Sequence, residues 1–199
     1  MRNPIDRLTA GLPRWARSTV EWAITVVLAV VAVLVVKVEV ANPYRIPSPS
    51  MEPTLHCAKP VDGCQGRFSD RVIANRFIYR FRDPKRGEIV VFDTPPAAIA
   101  CGETGTFVKR IIGLPGEVVS ERSGMVYVNG KALDEPYIDQ ALRDQRTETW
   151  KRVPENSYFV MGDNRASSCD SRVWGTVPRD NLIGPVFLTY WPPNRVGTD

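Results

Sequence analysis

A single histidine, His56, stands among the 199 residues, and that scarcity limits the catalytic machinery the chain can carry. A Ser-His-Asp triad would have to use His56, which lies six positions from Ser50. In a short, stiff segment an imidazole does not meet its own neighbour's hydroxyl with the geometry a triad needs. No catalytic role is therefore expected for His56. A zinc site built from His56, Cys57 and Cys64 lacks paired ligand spacing, so no metal is expected either. There is no block of like charge: the formal net charge of +4 comes from scattered Lys and Arg, which speaks against a nucleic-acid partner. Internal repeats and signs of a second globular domain are also lacking. Glycine is outnumbered by proline, 14 to 17, a balance that suits strands and turns better than a helical bundle.

One long apolar run is present. Residues 20–36 read VEWAITVVLAVVAVLVV, with Glu21 the only charge and near one end. A helix of that length spans roughly 25 Å against a bilayer core of about 30 Å. Continuation through Val38 and Val40, with Lys37 reaching toward the headgroups, makes up the difference. Trp22 suits the interface. A buried core helix would be amphipathic, whereas this run is apolar on every side. A cleavable leader would end in small residues, yet Lys37, Val38, Glu39, Val40 and Ala41 follow. A retained transmembrane anchor is the expectation. Arg2, Arg7, Arg14 and Arg17 precede it and only Arg45 closely follows, so the positive-inside rule keeps the N-terminus in the cytoplasm. The expected organisation is a short basic cytoplasmic segment (1–19), a transmembrane helix (20–40) and an extracytoplasmic domain (41–199).

Beyond the anchor the pattern is that of short β-runs. Residues 71–79 (RVIANRFIY), 88–92 (EIVVF) and 106–112 (TFVKRII) are rich in β-branched and aromatic side chains. Asn129-Gly130 within 125–133 is a hairpin signal. Residues 158–161 and 186–191 complete the set, 93–106 reads as a loop, and the polar stretch 135–151 as irregular or briefly helical. The fold class expected is mostly β: one antiparallel domain behind a single N-terminal helix. Cys57, Cys64, Cys101 and Cys169 all follow the anchor. Four cysteines in that compartment allow three disulfide connectivities or none; Cys57 and Cys64 bracket a turn-rich loop and are the favoured pair.

Three segments carry chemistry. In 46–55 (IPSPSMEPTL), Pro47, Pro49 and Pro53 stiffen the backbone around Ser48 and Ser50, which helps a nucleophile hold its attack angle. In 107–117 (FVKRIIGLPGE), Lys109 shares a strand face with Phe107 and Ile111, an apolar setting that disfavours an ammonium. Residues 162–172 (GDNRASSCDSR) gather hydroxyls, acids and arginines able to form a hydrogen-bond network. Taken singly, a proline-rich linker and a surface lysine explain the first two better than any catalytic role, and an ordinary polar loop explains the third.

Their order and wording do not read that way. SMEPTL (50–55), GEIVVF (87–92), VKRIIGLPGE (108–117), GDNRASSCDSRVWG (162–175) and VPRDNLIG (177–184), behind an apolar anchor, resemble the type I signal peptidases, membrane-bound serine–lysine proteases. The resemblance implies Ser50 as nucleophile and Lys109 as general base. It implies an oxyanion hole from the Ser48 hydroxyl and the Ser50 N–H, and Ser168 as the hydroxyl that orients the lysine. Asp170 and Arg172, with Arg110, correspond to an ionic cluster bracing the site. Ile46, Met51, Leu55, Phe107 and Val108 match positions lining shallow pockets for small residues. Signal peptides of exported pre-proteins and membrane lipid are the implied partners, and no cofactor is implied. Departures from the family pattern are Phe107 where tyrosine is common, Ala166 and Ser167 after the arginine of the third segment, and Cys169 beside Ser168. A self-cleaving repressor-type serine–lysine domain would need a DNA-binding head, where this chain has an apolar helix. An inactive tethered β module would need none of Ser50, Lys109 and Ser168. Trp174, Tyr190 and Trp191 are open to two readings, lipid contact or core.

Overall fold

The computed structural model describes residues 13–39, 41–102 and 105–198. The basic segment expected at 1–19 therefore lies outside the described residues up to position 12. The chain divides into two units, 1–41 and 42–199. Among its described residues the first holds one helix, α1 (Arg14–Glu39), which starts six residues before the expected anchor. Its stretch Trp15–Val33 is long and apolar enough to cross a membrane, and none of it is buried against protein. Val26, Val27, Leu28, Val30, Val31 and Val33 are all exposed.

The second unit is mostly antiparallel β, as expected. Its larger sheet has seven strands: β1 (Ala41–Arg45), β2 (Arg71–Asn75), β3 (Ile89–Asp93), β4 (Thr106–Gly113), β9 (Ser157–Met161), β10 (Val177–Pro178) and β11 (Leu182–Trp191). They are ordered β1-β2-β11-β3-β4-β9-β10. A smaller sheet follows the order β7-β6-β5-β8, from β5 (Val119–Arg122), β6 (Met125–Val128), β7 (Lys131–Ala132) and β8 (Glu148–Thr149). Asn129 and Gly130, both at positive φ, make the tight turn between β6 and β7.

The unbroken apolar run of β3 is explained by burial on both faces. Ile89 and Val91 join a cluster with Ile46, Met51, Leu55, Val72 and Val186. Val90 and Phe92 point the other way, into a cluster with Ile111, Val160, Trp174 and Val177. A third cluster, of Ile112, Val119, Val126, Val153 and Phe159, joins the two sheets. Each such side chain contributes roughly 1.5–3 kcal/mol on burial. The seam needs Gly113, where a Cβ would stand 2.6 Å from Val119 Cγ2.

The strand expected over 71–79 ends at Asn75. There the Asn75 Oδ1 accepts the Phe77 and Ile78 N–H groups at 3.0 and 3.1 Å, and the chain turns into a 3₁₀ segment, Ile78–Arg80. Loop 93–106 contains a 3₁₀ turn, Pro96–Cys101, with 103 and 104 outside the described residues. The stretch 135–151 holds only a 3₁₀ turn at Gln140–Leu142 and the two residues of β8. Cys57 pairs with Cys64, and Cys101 with Cys169. Trp174, on the four-residue helix α2 (Ser171–Trp174), is 8% exposed and belongs to the core. Tyr190 and Trp191 are partly exposed.

Candidate active site

Ser50 lies in a single 3₁₀ turn, Pro49–Met51. Pro47 and Pro49 restrict the approach, and two contacts fix the turn from outside. Asn164 N–H donates to the Ser50 carbonyl at 3.1 Å, and Asn164 Nδ2 donates to the Pro49 carbonyl at 3.2 Å. Ser50 is thereby held to the turn that follows β9, although 114 positions separate it from Asn164.

Lys109 sits mid-strand on β4, opposite Val90 of β3. Its side chain emerges on the face shared with Phe107, whose ring centroid is 5.4 Å from Nζ. Nζ lies 2.6 Å from Ser50 Oγ, and the two residues are only 4% and 8% exposed. Ser48 Oγ is 3.3 Å from Ser50 Oγ. A hydroxyl, an amine and a second hydroxyl thus converge at one edge of a cleft of about 350 Å³. Ile46, Met51, Phe107 and Val108 line that cleft, together with Tyr44 and Arg45. Leu55 is absent from the lining; it lies in the core cluster with Met51 and Ile46.

Ser168 is placed over Gly162. A Cβ at Gly162 would stand 2.2 Å from Ser168 Oγ and 2.4 Å from the Ser50 carbonyl oxygen, so position 162 has room for hydrogen alone. The Ser168 hydroxyl is buried beside the Asp170 carboxylate and helps to hold it below the usual carboxylate range.

The ionic bracing splits into three knots. Arg110 grips Asp163: its Nε and Nη2 form a fork at 2.9 and 2.6 Å, under the ring of Tyr137 at 3.9 Å. Thr54, four residues past Ser50, donates to the same carboxylate at 2.6 Å. Arg172 grips Asp170 through Nε and Nη2, both at 2.8 Å, and reaches Asp144 at 2.7 Å. Burial alone would raise the Asp170 carboxyl. The hydrogen bonds and charge of Arg172, with the Gly162 N–H, outweigh it and hold Asp170 below the usual carboxylate range. Arg165 and Glu135, both fully buried, form the third pair, and Arg165 Nε also donates to the Gly162 carbonyl at 3.1 Å. Glu121 is buried behind Arg172, 4.0 Å away; desolvation first, and then Asp144, push its carboxyl up to about 7.

Asp163, Glu135, Asp144 and Glu121 were not anticipated from sequence. Asp163 alone carried a local signal, since it lies inside the segment 162–172. His56 is bonded through Nδ1 to the buried Glu52 carboxylate, which also accepts the Cys57 and Gln65 N–H groups at 3.0 Å. It ties the Cys57–Cys64 loop to the turn after Ser50.

The family model described as signal peptidase, peptidase S26, matches residues 19–191. Over 173 residues the chain is 45% identical to the probable signal peptidase I-2 of Synechocystis sp., covering 87% of this chain and 73% of that protein. It is 38% identical over 201 residues to signal peptidase I of Leptolyngbya laminosa, covering 98% and 91%. With signal peptidase I of Mycobacterium tuberculosis it shares 35% identity over 228 residues, covering 91% and 76%. A hydroxyl-and-amine pair beside an apolar-walled cleft, on a mostly β domain that follows an apolar helix in sequence, agrees with these matches: the chain belongs to the signal peptidase family, peptidase S26.

Proposed function

We propose that the protein is a membrane-anchored serine endopeptidase that removes signal peptides from exported pre-proteins, with Ser50 as nucleophile and Lys109 as general base. The observation that carries the reading is the 2.6 Å contact between Lys109 Nζ and Ser50 Oγ, buried at the edge of the cleft.

In its free-amine form Nζ accepts the Ser50 proton as Oγ attacks the carbonyl at the cleavage site. The Ser48 hydroxyl and the Ser50 N–H stabilise the oxyanion. Collapse of the tetrahedral intermediate passes the proton from Nζ to the leaving amine, and the mature chain departs. Lys109 then deprotonates the water that hydrolyses the acyl ester and releases the signal peptide. The buried Ser168 hydroxyl is the group available to orient Nζ, while Arg110 and Arg172 brace the turns that hold Ser50. Ile46, Met51, Phe107 and Val108 form a shallow apolar wall suited to small side chains, hence cleavage after small-x-small sites such as Ala-x-Ala. Leu55 supports that wall from beneath.

The apolar, uncovered surface of α1 supports a membrane-spanning role for 20–40. The arginines before it favour a cytoplasmic N-terminus, with the domain 41–199 on the outer side. The test is cleavage of a pre-protein with an Ala-x-Ala site by membranes carrying wild type or Ser50→Ala. Processing by wild type alone supports the reading; equal processing by both, or by neither, contradicts it.

A further inference from the structure

A second hollow, of about 190 Å³, also borders the dyad. It shares Ser48, Ser50, Phe107 and Lys109 with the main cleft, so the reacting atoms lie where the two hollows meet. The rest of its wall is Pro49, Ser167 and the two halves of the Cys101–Cys169 disulfide. This bond ties the 93–106 loop to the residue beside Ser168.

We propose that this hollow receives the side chain of the first residue beyond the cut, and that the Cys101–Cys169 disulfide sets the size it accepts. The inference rests on assigning the main cleft to the residues before the cut. A scissile carbonyl held about 3–3.5 Å from Ser50 Oγ leaves the next residue one backbone step further on. That step is at most about 3.6 Å, so the chain leaving the cleft over the dyad brings its next side chain to the second hollow. A cavity of roughly 150 Å³ already holds a benzene-sized group, so the space takes a medium side chain and refuses the largest. The disulfide is the one covalent element in that wall. It keeps two loops, 68 positions apart in sequence, from spreading to admit a bulkier group.

The experiment uses the full chain in detergent micelles and two peptide series around an Ala-x-Ala site. One series varies only the residue after the cut through Ala, Leu, Phe and Trp; the other varies only the residue before it. Cys101→Ala/Cys169→Ala is expected to narrow the preference for Ala over Trp after the cut by about ten-fold in kcat/KM, the scale of pocket discrimination among apolar groups. The preference before the cut should not move. Ser167→Leu, which fills the hollow and leaves the disulfide in place, should shift the preference the opposite way and carries the test if the double variant does not fold. Cys57→Ala/Cys64→Ala, which removes the other disulfide, should leave both preferences as in wild type. If no variant alters the preference after the cut, or if both positions shift together, the inference is overturned. A wild type that cuts none of the peptides overturns the protease reading itself.

Discussion

The carbonyl oxygen of Ser50 lies 2.4 Å from the place a Cβ on Gly162 would occupy. The turn that carries Ser50 therefore packs directly on the backbone that follows β9, and the same missing Cβ leaves room for Ser168. Gly162→Ala is expected to displace both serines. The cost should be about 1–3 kcal/mol of stability from overpacking, with a fall in kcat that exceeds any rise in KM. Denaturant midpoints and steady-state kinetics on one purified variant check both parts.

Arg172→Gln leaves Asp170 buried without its cation, and breaking such a pair costs about 3–5 kcal/mol. The sign of the pH dependence follows from Asp170 being held below its ordinary range. Its stabilising effect is present above the unfolded pKa and is lost as pH falls through the folded one. Unfolding midpoints of wild type and variant should therefore converge toward acid pH and stand furthest apart near neutrality.

Glu121 predicts the opposite trend. Its carboxyl rises from an ordinary 4.5 to about 7, so the folded state binds the proton more tightly than the unfolded chain. Between those values this group makes the wild type lose stability as pH increases. Glu121→Gln removes that loss, so its gain in melting temperature over wild type should be larger at pH 8 than at pH 5.

The two disulfides should differ in thermodynamic weight. Loop-closure entropy assigns about 2 kcal/mol to Cys57–Cys64, seven positions apart, and about 4 kcal/mol to Cys101–Cys169, 68 apart. Urea unfolding of the two double-alanine variants checks the ranking.

Local pattern was enough for much of this architecture. Lys109 on an apolar strand face, the Asn129-Gly130 turn and the proline-flanked Ser50 are each properties of a few consecutive residues, and a short-range reading finds them. The strand at 71–79 was overextended because the Asn75 side chain captures two backbone N–H groups, a competition that residue type alone does not reveal. The two-residue strands β8 and β10 carry too few positions for alternation to show. Partner choice in the ionic knots was hidden for a different reason. Arg110 and Asp163 are 53 positions apart, Arg165 and Glu135 are 30 apart, and their pairing follows from how the loops are brought together in the fold, not from local chemistry. Leu55 and Met51 look alike in the motif, yet only Met51 reaches the cleft, because Leu55 turns down into the cluster on β2 and β3.

The account stands on Lys109 serving as base for Ser50 while the lone histidine serves only to fasten a loop. One comparison tests it: kcat/KM on the same pre-protein for Lys109→Ala and His56→Ala, each verified as folded. Loss of the base should lower the rate by roughly 10³-fold or more, while His56→Ala keeps most of the wild-type activity. A Lys109→Ala enzyme that still cleaves, beside a His56→Ala enzyme that does not, would contradict the dyad.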